Sequence, residues 1–135
     1  MPVPGVISLE SDGSLRFGDY VSKEKQKSGE FENNGDVYIV KSHSELTRVE
    51  KNGKLLYESV PGTLVRNFSL DERKCVFTAE GVHSTQITIE LEPETEYRIF
   101  IDGANMGKSK SNLSSKLNIS AELSGAAKEI RIERL

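Results

Sequence analysis

The chain contains few side chains of the kinds that carry out acid, base or nucleophilic catalysis. Its two histidines, His43 and His83, lie in polar, turn-like surroundings, and each is followed by a serine. Neighbouring side chains on a strand point to opposite faces, so such a pair does not form a catalytic dyad. The single cysteine, Cys75, begins an alternating apolar series with Phe77 and Ala79 and is predicted to be a small buried residue. We therefore predict that the protein is not an enzyme.

Metal ions and cofactors are not expected either. Two histidines and one cysteine, scattered along the chain, do not have the spacing of a zinc site. Four glutamates between Glu90 and Glu96 form the densest acidic cluster, and calcium prefers such oxygen ligands. Because these glutamates share one parity, they are predicted to form the solvated face of a sheet. The glycines are dispersed and do not form a phosphate-binding loop.

Two aromatic residues are out of phase with the apolar residues around them. Phe100 alternates with the apolar residues of its segment and is predicted to face outward beside Arg98. Tyr38 is likewise out of phase with the residues on either side. Outward aromatic rings near an arginine are typical of interaction hot spots. Phe100, Arg98 and Tyr38 are therefore the predicted binding residues, unless further strands or the termini cover them.

The elements that would position these residues are hairpins. Four dipeptides that favour positive φ lie between runs rich in β-branched and aromatic residues: Asp12-Gly13, Asn34-Gly35, Asn52-Gly53 and Asp102-Gly103. As two-residue loops they predict type I′ turns, which match the right-handed twist of paired strands.

Particular strand registers and turns follow from this pattern. A two-residue loop at Asp12-Gly13 would place Leu9 opposite Arg16, and one at Asn52-Gly53 would place Arg48 opposite Tyr57. Residues 60–63, with Pro at the second position and Gly at the third, predict a type II turn.

Strict alternation is clearest in the C-terminal half, where apolar residues predict one shared interior. These residues are Ile87, Ile89, Leu91, Tyr97, Ile99 and Ile101. With about ten short strands in all, we predict a single all-β domain over residues 1–135. The predicted fold is an antiparallel β-sandwich with hairpin connections, and the alternative is a β-barrel or jelly roll.

The segment from Leu91 to Ile99 has the pattern L-x-P-x-T-x-Y. It resembles the tyrosine corner of fibronectin type III and related immunoglobulin-like domains. The resemblance covers these nine residues and implies a sandwich in which Tyr97 packs inward and its hydroxyl returns to upstream backbone. It transfers no functional residue, and the chain contains no Trp, which those domains commonly bury.

Composition limits the environment and the partners. The net charge is -3 and neither half of the chain is basic, so we expect no nucleic-acid partner. One cysteine allows no internal disulfide. The start of the chain has no signal-peptide pattern and no apolar run spans a membrane, so we expect no membrane association. A complete chain would be cytoplasmic, whereas an excised module could be extracellular.

The sequence does not determine the function, but it ranks three hypotheses. The first is a non-enzymatic protein-interaction or assembly module, including association with a second copy. The second is a carbohydrate-binding module that uses Tyr20, Tyr38 and Tyr57 for stacking. The third is a small hydrolase or lyase, for which the sequence offers no convergent titratable groups.

Overall fold

The structure, a computed structural model, describes residues 6–135, which form two antiparallel β-sheets. The strands in chain order are β1 (Ile7–Leu9), β2 (Leu15–Phe17), β3 (Gln26–Lys27), β4 (Phe31–Asn33), β5 (Asp36–His43), β6 (Leu46–Lys51), β7 (Lys54–Val60), β8 (Leu64–Leu70), β9 (Lys74–Glu80), β10 (Ser84–Glu90), β11 (Glu96–Ile101), β12 (Ala104–Lys110), β13 (Lys116–Glu122) and β14 (Lys128–Arg134).

The two sheets pack face to face as a sandwich. The first sheet has the strand order β1-β2-β8-β9-β14-β11-β12, and the second has β13-β10-β7-β6-β5-β3, with β4 also paired to β5. Over residues 6–135 neither sheet closes on itself, so the predicted sandwich is confirmed over the barrel. The fourteen strands exceed the predicted ten because several are only two or three residues long.

The core is built from the inner faces of both sheets. Ile87 and Ile89 of the second sheet and Ile130 and Ile132 of the first are completely buried. Their polar neighbours along each strand face outward, as the period-two alternation predicts. Two further predicted core residues, Tyr97 and Ile99, are also buried.

Three of the four predicted two-residue hairpin loops are confirmed. At Asn34-Gly35, Asn52-Gly53 and Asp102-Gly103 both residues have positive φ, as type I′ turns require. At Asp12-Gly13 only the glycine does, and the loop has three residues between Glu10 and Ser14. The prediction that Leu9 lies opposite Arg16 is therefore wrong, since the longer loop pairs Leu9 with Leu15.

A β-bulge in β7 overturns a second predicted register. Glu50 pairs with Leu55, but Val49 pairs with Tyr57, so one extra residue lies in β7. The bulge turns both Leu56 and Tyr57 into the core, because it breaks the alternation of the strand. Arg48 accordingly lies opposite Glu58 and not opposite Tyr57.

Five hydroxyl groups form a buried hydrogen-bonded network at one end of the sandwich. The Thr63 hydroxyl lies 2.8 Å from both the Tyr57 hydroxyl and the Ser59 hydroxyl. The Thr47 hydroxyl donates a hydrogen bond to the Thr63 backbone carbonyl, and the oxygen of that hydroxyl accepts one from the Thr63 backbone amide. The Ser42 hydroxyl extends the network 2.7 Å from Thr47. All five side chains are fully buried, so each polar group depends on these partners.

Two glycines allow backbone segments to approach this network. A Cβ on Gly18 would lie 2.2 Å from the Thr63 carbonyl oxygen, and one on Gly62 would lie 2.1 Å from the His43 carbonyl oxygen. The predicted type II turn at residues 60–63 is wrong, because Gly62 does not have the positive φ that this turn requires at its third position. Gly62 is instead needed for close packing.

The segment that resembles a tyrosine corner has the geometry the resemblance implies. Tyr97 is buried, and its hydroxyl accepts a hydrogen bond of 3.1 Å from the backbone amide of Glu92. The corner carries the chain from β10 in the second sheet to β11 in the first. The bond therefore fixes the crossing between the two sheets.

The predicted absence of a signal peptide concerns the start of the chain, and residues 1–5 lie outside the described residues. Within residues 6–135, no helix has the length and hydropathy needed to span a membrane.

We predict that the Gly18→Ala variant is much less stable than the Gly13→Ala variant. Both glycines have positive φ, +96° and +89°, but a Cβ at Gly13 meets nothing within 4 Å. The shared backbone strain costs about 1 kcal/mol in each variant, and the clash with Thr63 adds about 1–3 kcal/mol for Gly18 alone. Urea unfolding of the two variants measures the difference. Equal losses of stability would show that the approach to Thr63 is not a packing constraint.

Candidate functional site

Phe100 lies on the outer face of the first sheet, as predicted. It is on β11, between β14 and β12, and its side chain is half-buried. The guanidinium carbon of Arg131, its partner on β14, lies 4.7 Å from the centroid of the Phe100 ring. This distance is that of a cation–π contact. The ring is thus covered on one side by a positive charge.

The residues around Phe100 place further charges on the same face. Arg98 is two positions along β11 and pairs with Glu133 on one side and Lys108 on the other. The Glu133 carboxylate lies 3.1 Å from Nε of Arg131 and forms an ion pair with it, although in the described residues this nitrogen makes no hydrogen bond. We call these five residues, Phe100, Arg131, Arg98, Lys108 and Glu133, the Phe100 face. It combines one aromatic ring with three cations and one carboxylate.

Tyr38 does not belong to the Phe100 face, and the prediction that it faces outward is wrong. It lies on the inner face of the second sheet and is 6% exposed, in phase with the buried Val40. Residues 37–40 are all apolar or aromatic, so this stretch alone does not show which alternate residues face the core. Ser42 is buried on the same face of β5 as Tyr38 and Val40, but a serine at this position suggests a solvent-facing residue when only the sequence is considered.

A cleft lies at the end of the sandwich opposite the buried hydroxyl network. Its volume is about 550 Å³, and it is lined by residues of both sheets and by the Asp12–Ser14 loop. We call it the end cleft, and its lining includes Tyr38, Asn33, Asn67, Ser69, Lys51 and Lys74. Sequence reasoning did not find the end cleft, because its residues come from five separate segments.

The other two tyrosines proposed for sugar stacking, Tyr57 and Tyr20, lie in different surroundings. Tyr57 is fully buried, and burial raises its pKa. The Tyr20 hydroxyl donates a hydrogen bond of 2.8 Å to Glu80, and this bond is the main cause of the raised pKa of Tyr20. The stacking surface predicted from Tyr20, Tyr38 and Tyr57 is therefore not assembled.

The single cysteine and the possible metal ligands do not form a reactive site in the described part of the chain. Cys75 is fully buried, and desolvation raises the pKa of its thiol, which disfavours the reactive thiolate. In residues 6–135 no three His, Cys, Asp or Glu side chains are grouped in a way that would hold a metal ion.

Comparison with known proteins finds no match: no protein-family model, no curated protein and no solved structure is similar to this chain. What the fold establishes is the class, an antiparallel all-β sandwich.

We predict that Cys75 does not react with a chromogenic disulfide reagent in the native protein at pH 8. The thiol has no solvent exposure, and burial holds its pKa above the usual value, so both access and thiolate are missing. In guanidinium chloride the same thiol should react completely. A Thr88→Cys variant, with a thiol on the outer face of β10, should react once in the native state. Rapid reaction of the parent protein would contradict the buried position of Cys75.

Proposed function

We propose that the chain is a non-enzymatic protein-interaction module that binds its partner through the Phe100 face. The observation that carries the proposal is the outward Phe100 ring with the Arg131 guanidinium stacked on it. Aromatic and arginine side chains carry much of the binding energy in protein interfaces. Here both are presented on two adjacent, hydrogen-bonded strands, β11 and β14.

The arrangement reduces the entropy lost on binding. Arg131 is held between the Phe100 ring and the Glu133 carboxylate before any partner arrives. Immobilising a free arginine side chain at an interface costs about 0.5–1.5 kcal/mol, so a pre-positioned one loses less. The Phe100 face therefore suits recognition by a rigid surface.

The charges on and around the Phe100 face are mixed. Arg98, Arg131 and Lys108 are cations, Glu133 lies beside Arg131, and the exposed Glu96 and Glu129 lie on the same outer face two residues from Arg98 and Arg131. A partner that matches this pattern presents both acidic and basic groups. Complementary charges speed association and select the partner.

The face supports binding better than the neighbouring edge of the sheet. The edge strand β12 is interrupted by a register shift opposite Arg98 and Phe100 and contains Gly107 at positive φ. It also carries the exposed Lys108 and Lys110. Bulges and lysines are the usual protections of an edge against strand addition. The local resemblance of residues 91–99 to fibronectin type III and immunoglobulin-like domains also favours a binding module over an enzyme.

The proposal can be tested with a photo-crosslinking side chain at matched positions. Thr78 lies on the outer face of the first sheet, one strand from Arg131's strand, and Thr88 lies on the outer face of the second. In cells that produce the protein, we expect the probe at Thr78 to capture a discrete protein and the probe at Thr88 not to. Light scattering over a concentration series then shows whether the captured protein is a second copy.

Truncation of the ring tests the energetic role of the Phe100 face. We expect Phe100→Ala to weaken the association by at least about 30-fold, the effect of losing a hot-spot side chain of about 2 kcal/mol. A Gln86→Ala variant on the outer face of the second sheet is the matched control. Equal affinity of Phe100→Ala and the parent, with both folded by circular dichroism, would remove the Phe100 face as the binding site.

A further inference from the structure

The end cleft has the size and position of a small-molecule site. Its volume of about 550 Å³ falls within the range of about 300–1,000 Å³ that ligand pockets occupy. It opens between the two sheets, where the Asp12–Ser14 loop of the first sheet faces Lys51 and Asn33 of the second. Nothing in the proposed protein-binding function uses it.

The floor of the end cleft is apolar and rigid. Leu15, Leu56 and Phe68 line it and are buried in the core. The Phe68 ring packs against those of Phe17 and Tyr57 with centroid separations of 5.5 Å and 6.2 Å. A ligand face that rests on this floor therefore meets fixed carbon atoms.

Tyr38 connects the floor to the opening. The residue is buried. In the described part of the chain its hydroxyl has no hydrogen-bond partner, but this oxygen remains accessible to solvent. Because Tyr38 lines the end cleft, this solvent-accessible hydroxyl is open to a hydrogen bond with a ligand there.

The rim supplies amide and hydroxyl groups at fixed positions. Asn67 has φ of +53° at a register shift in β8, and its amide nitrogen donates to the Ser14 hydroxyl at 3.3 Å. That hydroxyl in turn donates to the Asp12 carboxylate at 2.5 Å. The chain of bonds orients the Asn67 amide and leaves its carbonyl oxygen as an acceptor. Ser69 and Asn33 complete the rim.

We infer that the end cleft is a saccharide-binding site. A sugar ring presents hydroxyl groups at its edge and aliphatic carbon on its faces, so it needs both the polar rim and the apolar floor. A lipid chain would leave the rim unpaired, which is costly. A phosphate would meet the Asp12 carboxylate, and since Lys51 is already 3.6 Å from Asp36, only Lys74 among the lining lysines stands outside an ion pair in the described residues. The inference is independent of the Phe100 face.

Isothermal titration calorimetry with four probes tests the inference: cellohexaose, xylohexaose, chitohexaose and hexagalacturonate. We expect at least one of them to bind the intact protein, and Tyr38→Phe to weaken that binding about 3- to 10-fold, the effect of one lost hydrogen bond. Tyr20→Phe is the matched control, because the Tyr20 hydroxyl bonds to Glu80 outside the end cleft. Its affinity should equal that of the parent.

Backbone amide shifts locate the bound probe without relying on a variant. Resonances of residues 12–14 and 67–69 should move on titration with the probe that binds. The inference is overturned if none of the four probes binds, if Tyr38→Phe and Tyr20→Phe bind equally well, or if the shifts cluster on another surface such as the Phe100 face.

Discussion

The buried hydroxyl network around Thr63 is the constraint on which the arrangement of the two sheets depends. It joins the connection between β7 and β8 to β6 through Thr47 and to β5 through Ser42. The Ser42 hydroxyl accepts a hydrogen bond from the backbone amide of Asp19 and lies 2.9 Å from its carbonyl oxygen, beside the end of β2. Because β2 and β8 belong to the first sheet and β5, β6 and β7 to the second, these bonds tie the two sheets together. An unpaired hydroxyl here would cost about 1–3 kcal/mol, so the bonds specify one packing of the sheets.

Closing one end of a sandwich in this way determines where it can open. Strands that leave the network end, such as β6 and β8, run to the opposite end, where they reach Lys51 and Leu70. There the end cleft separates β2, β8 and β9 from β5, β6 and β7, whereas hydrogen bonds of the buried Tyr97 and Ser111 fix the crossing from β10 to β11 at the same end. The loops that line the end cleft lie outside these bonds, which leaves their polar side chains free to serve a ligand.

The sequence predicted the features that depend on neighbouring residues. The Asn-Gly and Asp102-Gly103 turns form because their residues tolerate positive φ, and Phe100 faces outward because its strand alternates without interruption. Features that depend on distant residues were missed. The bulge at Leu56 brings Tyr57 into the core, and a period-two pattern has no signal for an inserted residue. The inward Ser42 and Thr47 read as surface residues, because their partners are distant in the chain.

The difference between features set by neighbouring residues and features set by distant ones explains why part of the Phe100 face could be predicted and the end cleft could not. Phe100 and Arg98 lie on one strand, so parity places both, whereas Arg131 joins them only through the pairing of β14 with β11. That pairing fixes which cation reaches the ring. It joins two strands that are separated in the chain by β12 and β13, so no pattern of neighbouring residues predicts it. Tyr97 stabilises the fold, and its neighbour Arg98 is proposed to bind a partner. Their roles differ because adjacent residues of a strand face opposite sides of the sheet.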